Sequence, residues 1–283
     1  MGAPYMTSVA KCSFASAIAA ILAVAAATAA LESTARAEDN AQAAFFDDGI
    51  LDRVTDIRGS RGRARIAQLR TRPGGQSYGR WAVEWWQWAL GVPAGSNPLF
   101  DETGENCDRR QVDDTWFLSG MIFFPGDEPH PVTRECTIPA GKALFFPLAN
   151  QFFSALLDDP PEERTEEFLR SIAACQEPVQ AIVEIDGFRI PRPERFSTGP
   201  DGSLSPLFNV QLPPDNIFGA EAGPGDEGKI PELVLSPSAE EGVYLYVFPL
   251  SPGDHVIHWR ATGCTPGNVQ DITYFLTVGD ELS

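Results

Sequence analysis

Three side chains between residues 101 and 142 have the chemistry needed for catalysis: a lysine, an arginine and a carboxylate. Lys142 begins an almost wholly apolar stretch, KALFFPL, and buried lysines shift their pKa and bind anions or act as catalysts. Arg134 and Asp101 belong to the same region, so we name all three as catalytic candidates. Alternatively, Lys142 lies at a strand edge, with its stem buried and its ammonium group in water beside an acid.

Two amides and two tryptophans are the candidates for ligand binding. Gln111 and Asn150 are close enough in sequence to join Lys142 around one polar pocket. Trp85 and Trp88 belong to the stretch WAVEWWQWAL, and exposed indoles there would offer flat faces to a sugar.

The alternative for the tryptophans is a core, and their spacing favours it. The stretch SYGRWAVEWWQWAL predicts a helix that Ser77 caps and that ends at Gly91, before Pro93. On this helix the apolar face runs most of the way round, and only Arg80, Glu84 and Gln87 form a narrow polar stripe. A helix that is apolar on nearly every side is normally buried. We therefore predict that the indoles fill a core.

The loop DETGENCD concentrates oxygen ligands in eight positions. Asp101, Glu105 and Asp108 could provide carboxylates for Ca²⁺, which takes six to eight oxygens. The spacing does not match an EF-hand, however, and a solvated acidic loop held by Cys107 is the favoured interpretation. We predict no other cofactor or metal.

The histidines and the standard nucleophile motifs give little support to an enzyme. His255 and His258 are three apart in DHVIHW, which reads as a strand. Residues three apart on a strand point to opposite faces, so this pair does not share a metal. The sequence contains no CxxC pair, and no cysteine lies beside a histidine in sequence.

The first residues form a secretory leader. An alanine-rich apolar run follows Lys11, and Ala35-Arg36-Ala37 fits a cleavage site, so residues 1–37 are predicted to be removed. No later segment approaches the ~20 apolar residues of a spanning helix, and we expect no transmembrane segment after cleavage. The location is then secreted or periplasmic.

The charge and the cysteines fit this location. Residues 38–283 carry 19 basic and 38 acidic side chains, a net charge of −19 that repels phosphate backbones and excludes nucleic acid as a partner. A cation, a neutral sugar or a basic protein patch remains possible as a partner, and a carbohydrate or another envelope component is the candidate ligand. An even set of four cysteines in an exported chain predicts disulfides. Of the three pairings, proximity in sequence favours Cys107 with Cys136 and Cys175 with Cys264.

The rest of the chain predicts a mainly β fold. Residues 38–76 form an N-terminal arm and linker, with an arginine-rich segment at 58–72 that either folds onto acidic loops or stays mobile. Residues 77–283 form a β-sandwich domain, or two β halves that meet near residue 176. Short Gly- and Pro-bounded strands predict an Ig-like or jelly-roll sandwich, with the tryptophan-rich helix packed on it. One further short helix is expected to start at an Asp159 cap and to end near residue 174.

Five motifs between residues 75 and 280 resemble a family of secreted microbial proteins that have no assigned activity. The motifs are WxxxWWxW, NPLFDETGENC, WFLSG, RECTIPAGKALFFP with its IPAGKALFFP core, and PLSPGDHVIHW. The resemblance implies an exported β-rich domain and transfers no catalytic residue. Where that family usually has HxIHFGG, this chain has HVIHWRATGC, and the added cysteine implies a local disulfide.

Together these features predict an exported, non-catalytic binding or surface-associated β domain, with a carbohydrate among the candidate ligands. The alternative is a secreted hydrolase or lyase that acts on a polysaccharide or another envelope component. Its active site would be a pocket around Lys142, Arg134 and the carboxylates of residues 101–108. The sequence does not determine the oligomeric state.

Overall fold

A computed structural model describes residues 63–111, 114–123, 127–225 and 228–279. The leader predicted at 1–37 and the first part of the N-terminal arm lie outside these ranges. None of the described helices is long and apolar enough to cross a membrane.

The tryptophan-rich helix has the predicted bounds. Helix α1 spans Tyr78–Gly91, and the side chain of its N-cap residue Ser77 accepts a hydrogen bond from the Arg80 amide. Because that hydroxyl satisfies an amide that has no partner inside the helix, Ser77 fixes where the helix begins.

The second helix is shorter than predicted, and its expected cap at Asp159 is wrong. Helix α2 spans Glu166–Ala173, and Thr165 is the cap residue that accepts from the Phe168 amide. Asp159 instead accepts a hydrogen bond from the Leu156 amide, 2.6 Å away. The two prolines at 160 and 161 explain the shift, because a residue before proline is disfavoured in the α conformation.

The described strands form two large sheets and one small one. The four-stranded sheet has the order β1-β3-β9-β6, the five-stranded sheet β2-β11-β10-β4-β5, and β7 pairs with β8. The strand bounds are β1 Thr115–Phe117, β2 Val132–Ile138, β3 Ala143–Leu156, β4 Glu177–Ile185, β5 Phe188–Arg189, β6 Phe208–Gln211, β7 Glu221–Ala222, β8 Lys229–Ile230, β9 Val234–Val247, β10 Gly253–Cys264 and β11 Val269–Val278.

The mainly β prediction is confirmed, and the strand order joins distant parts of the chain. Each large sheet takes strands from both sides of residue 176, so hydrogen bonds connect the two halves considered above. Each large sheet also contains one parallel pair, β1 with β3 and β2 with β11. Ig-like and jelly-roll folds are built from antiparallel sheets, and that finer assignment stays a prediction.

The four-stranded sheet is covered on both faces by aromatic side chains. On one face, Trp86 of α1 lies 4.9 Å from the ring centre of Phe152. On the other, Phe146 stacks on Trp259 of the five-stranded sheet at 4.9 Å. The order of layers is therefore helix α1, four-stranded sheet, five-stranded sheet.

The prediction that the tryptophans fill a core is confirmed. The four tryptophans of α1 are between 1% and 8% exposed: Trp81, Trp85, Trp86 and Trp88. Trp85 and Trp88 were also named as ligand-binding residues. They are 1% and 6% exposed, so the prediction that their rings form an open platform for a sugar is wrong. The reason is the four-stranded sheet beneath α1, which takes up the face that a sugar would need.

All four cysteines of the domain form the predicted pairs. Cys107 bonds to Cys136 across 29 residues of sequence, and Cys175 bonds to Cys264 across 89. The first disulfide fixes the acidic loop to β2, and the second fixes the end of β10 to the residues that follow α2.

The two disulfides should differ in their contribution to stability. Removing Cys175–Cys264 by double serine substitution should lower the free energy of unfolding more than removing Cys107–Cys136 does. The longer loop loses more chain entropy on closure, and the expected excess is about 1 kcal/mol. Urea unfolding of the two variants measures it. An equal or reversed order would contradict the chain-entropy account.

Candidate functional site

Arg134 lies between the two large sheets and is almost completely buried, at 1% exposure. Its Nε donates to the Asp101 carbonyl at 2.6 Å, and its two terminal nitrogens donate to the Tyr274 hydroxyl, to Ser119 and to the Gly120 carbonyl. These acceptors are carbonyls and hydroxyls, with no carboxylate among them. The guanidinium thus joins β2 and β11 to the segments around Asp101 and Ser119 and is buried. These contacts give Arg134 a structural role, and its role as a catalytic residue stays a prediction.

The carboxylate of Asp101 accepts hydrogen bonds from its own loop. The amides of Thr103, Gly104 and Asn106 donate to it at 2.8 to 2.9 Å. Burial alone would raise the pKa of Asp101, but these donors together outweigh burial and hold the pKa below its ordinary value. The carboxylate therefore organises the loop, and its predicted role in catalysis has no geometric support.

The other two predicted calcium ligands do not converge with Asp101. Glu105 and Asp108 are exposed, and Asp108 lies 3.7 Å from Arg109. Within the described ranges, no group of three or more histidine, cysteine or acidic side chains is placed to hold a metal ion.

Gln111 also forms its hydrogen bonds within this region. Its amide nitrogen donates to the carbonyls of Cys107 and Phe117, and its amide oxygen accepts from the Phe117 amide. Gln111 thus ties the disulfide loop to β1, and these contacts explain its position without a ligand.

Lys142 takes the alternative position considered for it, at the edge of the sheet beside an acid. Its side chain is 27% exposed, and its Nζ lies 3.7 Å from the fully exposed carboxylate of Asp114. Arg134 is buried and meets the acidic loop at the Asp101 carbonyl. A pocket that also includes Lys142 stays a prediction.

Asn150 belongs to a buried polar network that sequence patterns did not predict. Its side-chain nitrogen donates to the Tyr244 hydroxyl at 3.1 Å, and the Trp86 indole donates to the same oxygen at 3.1 Å. The Tyr244 hydroxyl in turn donates to the Glu240 carboxyl at 2.8 Å. The Thr198 hydroxyl donates to the same Glu240 oxygen at 3.2 Å.

Glu240 is the titratable centre of this network. It is 2% exposed, and its Oε1 accepts no hydrogen bond from the described residues. Burial raises the pKa of Glu240 to about 7, against the opposing effect of the Tyr244, Ser205 and Thr198 hydroxyls. Burial and the adjacent Glu240 likewise raise the pKa of Tyr244. A carboxylic acid that stays protonated near neutral pH can donate a proton, as a general acid does.

A short connecting segment, residues 197–207, closes over this carboxyl. The Thr198 amide donates to the Gly242 carbonyl at 2.9 Å, and the Gly242 amide donates to the Thr198 hydroxyl at 3.0 Å, so this segment adds a partner to β9. Ser205 is buried, and its carbonyl accepts from Arg170 of α2. Glu240 is therefore enclosed by α1, by β3 and by this segment.

One sequence signal could have indicated Glu240. In the strand SAEEGVYLYV, alternate positions Glu240, Gly242, Tyr244 and Tyr246 share one face. A glutamate in phase with tyrosines on the apolar side of a strand is a buried carboxyl, and buried carboxyls have raised pKa values.

The two strand histidines have separate carboxylate partners. His255 Nδ1 lies 2.7 Å from Asp186, and His258 Nε2 lies 2.8 Å from Asp271. His255 Nε2 also meets the Ser251 carbonyl at 2.7 Å. Because His255 bonds residues of two turns, we assign it a structural role at that end of the five-stranded sheet.

A scan against models of known protein families finds no match, and neither does a search among curated proteins.

The enclosed position of Arg134 makes a strong prediction about stability. Substitution Arg134→Lys should lower the free energy of unfolding by about 3 kcal/mol or more, because lysine has three donors and cannot satisfy the same buried carbonyls. Chemical unfolding measures the change. The control is Lys142→Ala, where an ion pair with a fully exposed carboxylate is lost and the change should stay within about 1 kcal/mol. Equal effects of the two substitutions would show that Arg134 is not enclosed.

Glu240 should make stability depend on pH. Its folded pKa of about 7 exceeds the ordinary 4.5, so its contribution is intact below pH 4.5 and is lost as pH rises through 7. The expected loss is about 3 kcal/mol. In Glu240→Gln, unfolding free energies measured at several pH values should lack this decline, whereas the exposed control Glu167→Gln should keep it. A decline of the same size in all three proteins would exclude Glu240 as its source.

Proposed function

We propose that the chain is an exported, non-catalytic binding or surface-associated β domain, with a carbohydrate or another envelope component as its ligand. The observation that carries the proposal is the internal hydrogen bonding of the Arg134 and Asp101 side chains. Both bring catalytic chemistry to the sequence, yet their side-chain groups are engaged with the protein's own amides, carbonyls and hydroxyls. A group that is already saturated inside the fold does not act on a substrate.

Export is supported by the cysteines. All four cysteines of residues 38–283 are paired, and structural disulfides persist in oxidising compartments. The leader at 1–37, the acidic composition and the resemblance to secreted microbial proteins agree with a secreted or periplasmic location.

The ligand contact is expected to be polar. Among the described residues, Leu204 is the exposed large apolar side chain, at 46%. A sugar platform formed by Trp85 and Trp88 is excluded by their burial, so binding must use hydrogen bonds and charge. Such contacts suit a hydrated polymer better than an apolar partner. We keep the Ig-like or jelly-roll sandwich as part of this proposal, since loops at the ends of such sandwiches commonly bind ligands.

A second function, a secreted hydrolase or lyase, is favoured by one observation. Glu240 has a pKa of about 7 and a hydrogen-bonded tyrosine beside it. Opening of residues 197–207 would expose a carboxylic acid that can act as a general acid at neutral pH. This site replaces the pocket around Lys142 as the enzymatic alternative.

One experiment separates the two functions. The purified protein, with both disulfides formed, is mixed with soluble polysaccharides and with cell-wall material, and both bound protein and released sugar ends are measured. We expect binding without release. Release that Glu240→Gln abolishes would establish the enzyme instead, and neither binding nor release would contradict both proposals.

A further inference from the structure

Two segments bring exposed arginines to the same end of the molecule. The first begins with Arg63 and Arg65, part of the arginine-rich segment at 58–72, of which residues 58–62 lie outside the described ranges. The Arg65 carbonyl accepts from the Phe248 amide at 2.9 Å, and Ile66 pairs with Val247 at the end of β9. The described part of this segment is therefore bound to the sheet.

The second segment, residues 188–195, contributes Arg189, Arg192 and Arg195, all of which are exposed. Its contact with the first segment is direct, since the Arg63 guanidinium lies 5.4 Å from the ring centre of Phe188. A second connection runs through Tyr78, which stacks on Phe196 and donates to the Ala67 carbonyl at 2.7 Å. We call the five arginines of these two segments the arginine edge.

Aromatic rings hold three of these guanidiniums in place. Arg63 lies over Phe188, Arg65 lies 4.9 Å from the ring centre of Phe248, and Arg195 lies 4.7 Å from that of Phe196. A guanidinium that stacks on a ring keeps its donor edge available and loses less freedom on binding. The arginine edge is thus partly preorganised.

None of the five guanidiniums forms an ion pair within 4.0 Å with a carboxylate among the described residues. This is unusual for a chain with 39 acidic and 21 basic residues. Glu184 faces Arg189 across β4 and β5, and Glu194 lies within the second segment, yet neither reaches ion-pair distance. Within the described part of the chain, these five cations therefore lie at one edge without a carboxylate at ion-pair distance.

We propose that the arginine edge binds a carboxylated polysaccharide. The inference rests on the proposed function and names its ligand class and binding face. Arginine is suited to this ligand because its planar fork donates two parallel hydrogen bonds to one carboxylate. A duplex carries one phosphate charge for about every 1.7 Å of its axis, and a chain of net charge −18 opposes so dense a charge more than the sparser carboxylates of a sugar polymer.

The test measures binding to polygalacturonate, with its methyl-esterified form as the neutral control. We expect the wild-type protein to bind the acid form, more weakly as NaCl rises, and not the ester. Neutralising all five arginines as Arg→Gln should weaken binding by about tenfold or more. Arg63→Lys with Arg65→Lys keeps the charge and should still weaken binding, because lysine lacks the bidentate geometry.

The control variant is Arg109→Gln, an exposed arginine at the opposite end of α1, whose carbonyl accepts from Trp88. Its affinity should equal that of the wild type, and thermal unfolding checks that every variant is folded. Equal binding of the acid and ester forms, with no effect of the five substitutions, would overturn the arginine edge and leave the proposed function standing. Tighter binding of double-stranded DNA than of polygalacturonate would overturn the ligand class. No binding to any polysaccharide would contradict the proposed function as well.

Discussion

The buried indole N–H groups of helix α1 impose the constraint on which the rest of the fold depends. A buried donor without an acceptor costs about 1 to 3 kcal/mol, so four tryptophans on one helix need four acceptors. Each acceptor comes from a different part of the chain. The pairs are Trp81 with the Pro73 carbonyl, Trp85 with the Leu118 carbonyl, Trp86 with the Tyr244 hydroxyl and Trp88 with the Arg109 carbonyl. Trp116 and Trp259, outside the helix, bury their N–H groups without such a bond among the described residues, so this pattern belongs to the helix.

These four bonds connect the helix to the regions where chemistry was expected. Leu118 precedes the carbonyls that accept from Arg134, and Arg109 follows the loop that Asp101 organises. The Tyr244 hydroxyl is both the acceptor for Trp86 and the donor to Glu240. Groups with catalytic chemistry have therefore become parts of a framework of internal hydrogen bonds. A binding role that uses the outer edge of such a framework needs no movement of the core.

Sequence alone predicted the features that depend on local periodicity and on composition. The apolar circumference of α1 predicted its burial, and the even cysteine count with proximity in sequence predicted both disulfides. The alternation of the strands placed His255 and His258 on opposite faces. The predicted start of α2 was wrong because the local effect of two consecutive prolines outweighed the capping preference of Asp159.

The roles of Arg134 and Glu240 depend on partners far away in the chain, and this is why sequence patterns missed them. Arg134 bonds to Tyr274, 140 positions later, and Glu240 bonds to Thr198, 42 positions earlier. The fold decides which hydrogen-bond partners a polar side chain meets, and these partners decide whether it binds a ligand or stabilises the interior. Oxidative footprinting with hydroxyl radicals tests the central claim most directly, because it measures the solvent access of each indole. The account predicts that Trp81, Trp85, Trp86 and Trp88 are oxidised much more slowly in the folded protein than in the unfolded chain. Oxidation of Trp85 and Trp88 at the unfolded rate would contradict it.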